Sequence, residues 1–490
     1  MDNDNIGTII RISGTRISIK SLSKFSIQSI NIRNFMTDYI SIGSLVGTHL
    51  LDGRTLVLTI EEVYENADDI FVTASISGIF DSVMQVFTFG TNTYPLIGET
   101  VFRLGKEVLS CIFTPKSDST FSSTSVGTYI YDDSVNVGYN PNILFGKHLG
   151  VFGNTGSGKT CTVVSIIQHY IRDNPDKDIK FIILDINGEY RHAFKAEECD
   201  YIPFDELRFH HSILSIPEYG RLFRAAEGVQ YPALKKCIRE LSQYPNSNIW
   251  SLKALPIKLK DWIANTAENK NNSFTLSQLF GNLRTMNLRI DGILDDQQLM
   301  SVIDSPNDKS SLDVINDTSK KVIILDLQIS NDSLDIIIYL LFKSLYAQKI
   351  KRDSSTHLCL VLEEAHRYIN YDVEETKLGN YYIDKISREG RKFGIGLIIS
   401  SQIPSMLQYE VISQCNSVIM HKITNKKDTE FLKGVLRVSN DIYYLQMSAL
   451  EKQHAIVCGE AFPNDSVVKI LDAYPLPRSN DPIIEDKLPF

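Results

Sequence analysis

No apolar stretch in this chain approaches the ~20 residues needed to cross a bilayer. The densest, Ile336 to Phe342, is cut off by Lys343. The start, Met1-Asp2-Asn3-Asp4-Asn5, is acidic and lacks the basic-then-apolar order of a secretion signal. Seven cysteines (Cys111, Cys161, Cys199, Cys237, Cys359, Cys415, Cys458) are scattered without a C-x-x-C pair, so they read as reduced thiols in a cytoplasm. A basic surplus is also missing. The net charge of −9 excludes a surface coated in cations for nucleic acid, while leaving room for a locally basic channel. Internal repeats are absent. What remains is a membrane-free chain of 490 residues, 43% hydrophobic and 22% charged, long enough for two or three packed domains.

The most informative segment present is Gly153-Asn154-Thr155-Gly156-Ser157-Gly158-Lys159-Thr160, which fits G-x-x-x-x-G-K-[ST]. An apolar run, His148 to Phe152, precedes it as a strand. Cys161 to Asp173 follows with Val163, Val164, Ile166, Ile167, Tyr170 and Ile171 at helical spacing. Strand, glycine loop and helix is the order in which backbone N–H groups and a helix N-terminus can cradle phosphates. Lys159 is expected to reach the β- and γ-phosphates and the Thr160 hydroxyl to hold Mg²⁺, so the loop predicts ATP binding.

Residues 1–112 are rich in β-branched residues punctuated by Gly and Asp. Gly7 to Gly14, Arg16 to Lys20, Arg54 to Glu61, Ile70 to Ile76 and Val83 to Phe89 predict short strands of a small β-barrel, with a sandwich as the alternative. Pro115 to Thr128 is Ser/Thr-rich, and residues 113–144 are read as a linker. From 145 to 473, β and α patterns alternate. Ile179–Leu184, Lys321–Leu327, His357–Leu362, Gly396–Ser401 and Ser417–Ile423 predict a mostly parallel sheet flanked by helices. Residues 205–305 lose the strand signal and read as a helical insertion, with helices near Glu218–Ala226, Tyr231–Ser242, Ser251–Ala264 and Leu276–Met286. Residues 474–490 carry four prolines and read as an extended arm.

Three further clusters carry chemistry. His357 to Leu362 is an apolar run ending in Glu363 and Glu364. In a phosphate-loop ATPase the first acid serves the Mg²⁺ shell and the second polarises the attacking water. Glu363 stands where Asp is usual, but its longer side chain still reaches a metal-bound water. Leu397 to Ser401 ends at Gln402, placed to sense the γ-phosphate from the carboxyl end of a parallel strand. Arg388 and Arg391, in Ser387-Arg388-Glu389-Gly390-Arg391-Lys392-Phe393-Gly394, are candidates for an arginine supplied to a neighbouring subunit. Lys392 is the poorer choice because it lacks the planar fork. Asp185 closes the Ile179 strand in Asp185-Ile186-Asn187-Gly188-Glu189-Tyr190, a common turn when taken alone.

Taken in order (G-N-T-G-S-G-K-T, D-I-N-G-E-Y, L-E-E-A-H, R-E-G-R-K-F-G, S-S-Q and Ser413 to Asn416) these motifs resemble the HerA family, hexameric ATPases of the FtsK-like branch of the RecA-type fold. The resemblance covers nearly the whole chain. It implies an α/β fold with a RecA-like P-loop core, an N-terminal small β-barrel, a helical insertion and a C-terminal arm reaching a neighbour. It further implies a homo-hexameric ring with double-stranded DNA in its central channel. The implied partner is a NurA-like nuclease or another antiphage effector such as a sirtuin-like NADase. By the same resemblance Lys159, Asp185, Glu364, Gln402 and Arg388 or Arg391 serve hydrolysis, and Glu363 stands on the Mg²⁺ side. A ring that scaffolds an effector under ATP control, without moving along DNA, is the competing expectation. Lys426-Lys427 reads as ordinary surface charge rather than a channel loop.

Overall fold

The period-two runs near the start become antiparallel strands in the computed structural model, which describes residues 5–21, 41–66, 69–115, 124–243, 250–268, 273–305, 310–351, 355–369, 379–436 and 438–478. Contacts divide it into two units, Met1–Lys177 with Gln402–Ser405 and Cys415–Phe490, and Asp178–Ser401 with Met406–Gln414.

In the first unit, β1 (Asn5–Ser13), β2 (Arg16–Ser21), β3 (Leu45–His49), β4 (Thr55–Asn66), β5 (Asp69–Asp81), β6 (Val86–Phe89) and β7 (Thr100–Arg103) pair in the order β2-β1-β7-β3-β4-β5-β6. A further β2–β5 ladder, Arg16 opposite Ser75 through Lys20 opposite Phe71, closes six of them into a barrel. That ladder decides against the sandwich. Alternation sets the inside: Ile17 and Ile19 are fully buried with Ile9, Leu56, Leu58, Ile60, Val72, Ala74 and Val101. Register shifts at Ile9/Arg11, Val57/Leu58 and Ile60/Glu62 supply the extra bend that closure of a small sheet needs.

The expected linker is corrected here. Residues 124–139 form a hairpin of β8 (Thr124–Tyr129) and β9 (Asp132–Tyr139). Thr124, Val126 and Tyr129 face inward with Val135, Val137 and Tyr139. Threonine is polar by count but β-branched by shape, so a Thr/Ser-rich segment can still form a strand. The hairpin pairs with β18 (Ser466–Ile470), which pairs with β17 (His454–Gly459), then β16 (Ser417–Met420), all antiparallel. Among the described residues of this unit, β16 with β10 (Leu149–Phe152) is the one parallel pair. Tyr474 N–H donates to Gln168 Oε1 (2.7 Å), and Gln168 Nε2 donates to the Pro475 carbonyl (2.9 Å). The arm begins on the helix Lys159–Asp173, and its part beyond Arg478 lies outside the described residues.

The second unit holds a fully parallel sheet, ordered β12 (Cys199–Ile202), β13 (Val322–Asp326), β11 (Ile179–Asp185), β14 (His357–Leu362), β15 (Ile395–Ser401). Phe181 to Leu184, Val322 to Leu325 and Leu358 to Leu362 are almost wholly buried, as unbroken apolar runs are when both faces of a sheet are covered. Between β12 and β13 lie the helices Ile216–Leu222, Gln230–Ser242, Ala254–Glu268, Ser273–Asp295 and Gln297–Ile303. Ser215 and Glu218 form a capping box at the first of these, and Glu218 also accepts from Tyr339 Oη (2.5 Å) and Lys343 on the helix Asn331–Ile350. Among the described residues, no helix is long and apolar enough to cross a membrane.

A buried polar clasp fastens this helical stretch. Tyr219 Oη lies 2.9 Å from the His211 carbonyl and 2.7 Å from His211 Nδ1. His211 Nε2 faces two acceptors, the Trp250 carbonyl (2.8 Å) and Asp304 Oδ1 (3.3 Å). The neighbouring His210 accepts the Ser212 N–H at Nδ1 (3.0 Å), which leaves its proton on Nε2. Both rings are thus engaged in hydrogen bonds, although His210, His211 and Asp304 lie close enough together to suggest a metal. Burial opposes ionisation of Asp304, yet hydrogen bonds from His211, Ser251 and the Leu252 N–H hold its carboxyl below the usual range. Asp304→Ala should cost about 3 kcal/mol in denaturant unfolding at pH 7, because it strands buried donors. A depressed carboxyl stabilises above its unfolded pKa and loses that contribution as pH falls through the folded value. The difference between wild type and variant should therefore shrink in acid.

Candidate nucleotide-binding site

The loop 153–160 lies wholly in the first unit. Buried β10 delivers the chain to Gly153, and the helix Lys159–Asp173 leaves it with Val163, Val164, Ile166, Ile167 and Tyr170 buried. Gly156 (φ 71°) and Gly158 (φ 110°) occupy left-handed backbone, where a side chain is strained. Gly153 has a different reason: a Cβ there would come within 2.6 Å of His421 Cβ and 2.7 Å of Ser157 Oγ. Asn154 ties the loop down, its N–H donating to the Lys422 carbonyl (2.9 Å) and its Nδ2 to Thr424 Oγ1 (2.9 Å). Lys159 is buried, with Nζ 3.1 Å from the Asn154 carbonyl, which also accepts from Ser157 Oγ (2.7 Å). Thr155 Oγ1 donates to Gln402 Oε1, so Gln402 touches the loop. These residues fit a polyphosphate. The turn opens onto a helix N-terminus, and an ammonium sits beside it.

The acids lie in the second unit. Leu184 pairs with Leu362, so Asp185 and Glu363 follow that rung at the carboxyl ends of β11 and β14. Asp185 is spent locally: Oδ1 accepts the Glu189 N–H and Oδ2 the Tyr190 N–H, each at 3.0 Å. Burial pushes its carboxyl up to about 6 against those bonds. The turn it braces carries Tyr190, whose hydroxyl donates to Glu363 Oε2 at 2.5 Å. Burial first, then the Glu363 charge, lifts the Tyr190 phenol well above its ordinary value, so it stays a donor. Tyr368 Oη donates to the Glu363 carbonyl (3.0 Å). Glu364 is buried with φ 44°, a left-handed conformation costing a non-glycine residue ~1–3 kcal/mol. Its Oε2 lies 3.2 Å from His366 Nδ1, which is also 3.2 Å from Ser401 Oγ.

Arg388 closes the helix Gly379–Glu389 and pairs with Asp384 (2.9 Å) while 55% exposed; Arg391 is exposed on the turn Gly390–Phe393. Lys426 and Lys427 are exposed at the start of the helix Lys426–Val435. The structure thus gathers Gln402 with the loop, and Asp185 with Glu363 and Glu364. Tyr190, Tyr368, His366 and His421 escaped the sequence reading. The only local signals were the final letters of D-I-N-G-E-Y and E-E-A-H.

A glycine loop opening a buried helix, and parallel strands tipped with acids, define a P-loop ATPase. Residues 124–345 match the family model described as "Helicase HerA, central domain". A probable helicase of Methanocaldococcus jannaschii is 26% identical over 89% of this chain and 86% of its own length. A DNA double-strand break repair helicase HerA from Sulfolobus acidocaldarius is 26% identical over 77% of this chain and 73% of its own. In fold, VirB4 of Thermoanaerobacter pseudethanolicus superposes with a TM-score of 0.53 at 13% identity, covering 73% of this chain and 98% of VirB4. These matches make the chain similar to the HerA family and support an ATPase of that helicase type.

Proposed function

We propose that the protein is a cytoplasmic, ATP-driven motor that assembles as a homo-hexameric ring around double-stranded DNA. It serves a partner nuclease or another effector in DNA-end processing or antiphage defence. The phosphate loop carries this reading, supported by relatives named as DNA double-strand break repair helicases. In it, 153–160 bind ATP, and Thr160 and Glu363 are the residues that would hold Mg²⁺. The bound ion would neutralise charge on the phosphates. Tyr190 fixes one Glu363 oxygen, Glu364 orients the attacking water, Asp185 braces the acidic edge, and Gln402 reports the γ-phosphate to the loop. The barrel of 1–112, the edge of the core and the arm of 474–490 supply the subunit contacts.

Purified protein should release phosphate from ATP, faster with duplex DNA, and should displace a triplex strand directionally. Lys159→Ala should remove turnover. Phosphate release unchanged by the substitution would sink the ATPase assignment. DNA-insensitive turnover without displacement would refute the motor.

A further inference from the structure

We infer that His421, which follows β16, is a positioning residue for the phosphate loop, joined to the nucleotide-binding helix through Thr162. The inference rests on the nucleotide-binding reading above and adds the part that sets the loop's shape. His421 is fully buried, and its N–H donates to the carbonyl of Phe152 at 2.7 Å, one residue before the loop. The residue then meets the loop at both ends, its Cβ at Gly153 and its ring at Gly158. A Cβ on Gly153 would collide with His421 Cβ, and one on Gly158 would stand 3.6 Å from His421 Cε1. The loop packs against His421, and its first glycine is required because of that residue's Cβ and of Ser157 Oγ.

The hydrogen bonds settle the tautomer. Nδ1 is 3.2 Å from the His454 carbonyl, a group that only accepts, so Nδ1 carries the proton. Nε2 then accepts from Thr162 Oγ1 at 2.9 Å. Burial, with the Lys159 ammonium nearby, pushes the ring down to about 3, so the neutral form that this pattern needs is the one present. One residue therefore links the end of β10 through its backbone, and the first turn of the helix Lys159–Asp173 and the start of β17 through its ring. Phosphate affinity in such a loop comes from several N–H groups converging on one anion, and fixing them beforehand reduces the ordering cost of binding.

Thr162→Val keeps the shape and removes the donor, whereas Thr162→Ser keeps the donor; His421→Phe keeps a ring without nitrogens. Titration with a fluorescent ADP analogue should show affinity falling about tenfold in Thr162→Val and at least as far in His421→Phe. Thr162→Ser should stay within about twofold of wild type. In steady state the Thr162→Val loss should appear in KM, with kcat at saturating ATP within about twofold. A purely structural role would instead lower the unfolding midpoint and leave KM unchanged. Equal affinity of Thr162→Val and wild type, or equal losses in Thr162→Val and Thr162→Ser, would overturn the inference. A wild-type protein that binds no analogue would overturn the nucleotide-binding reading itself, a distinguishable failure.

Discussion

Glu364→Gln is expected to bind ATP at close to wild-type strength while phosphate release falls by about 10²–10⁴, the usual worth of a positioned general base. The amide keeps the side chain's volume and removes the charge that would polarise water. The position is built at some cost: a glutamate held at φ 44° and buried beside His366. Left-handed, non-glycine backbone persists where surrounding structure over-determines it, and such positions cluster at active sites. Glu363 contrasts with it, since Tyr190 already occupies one of its oxygens. The division predicts that Glu363→Gln shifts the Mg²⁺ dependence of turnover, whereas Glu364→Gln lowers turnover at every Mg²⁺ concentration. Turnover within tenfold of wild type in Glu364→Gln would remove it from the catalytic role.

An equally large effect is expected across the boundary between subunits of the proposed ring. Arg388→Ala or Arg391→Ala should reduce turnover about 10³-fold, because charge spread over the equatorial oxygens of the transition state loses its planar cation. Both side chains are at the surface, and the Arg388–Asp384 pair is exposed enough to be given up cheaply. Mixing the deficient arginine variant with Lys159→Ala subunits should restore part of the activity, since some interfaces then join an intact loop to an intact arginine. The idea fails if neither substitution slows phosphate release. A nucleotide-bound structure with both arginines turned from the adjacent γ-phosphate would also defeat it.

How far the sequence reached depended on whether a feature was local. The loop and its helix could be read because glycine, lysine and apolar spacing all fall within twenty-odd consecutive residues. β11, β14 and β15 were legible for the same reason, as apolar runs buried on both faces. β3 and β7 escaped because each is short, and Gly47 interrupts the apolar pattern of β3. Barrel closure by β2 on β5 was out of reach, being a pairing between segments with no local signature. Two antiparallel strands, β17 and β18, were hidden behind an expectation of parallel order. In the site, Tyr190 meets an acid 173 positions away and His421 a hydroxyl 259 positions away. Such partners have no spacing rule, and only the folded backbone brings them together.

The contact between Lys159 and the Asn154 carbonyl has a thermodynamic consequence. Its ammonium is already out of water and already engaged by a neutral acceptor. Stripping water from a charge is expensive, and here folding has carried that expense before any phosphate arrives. Binding then brings an anion to an ammonium that needs no further withdrawal from solvent. A ligand held by the folded loop and not by the unfolded chain also stabilises the fold, so occupancy and stability are linked at this side chain.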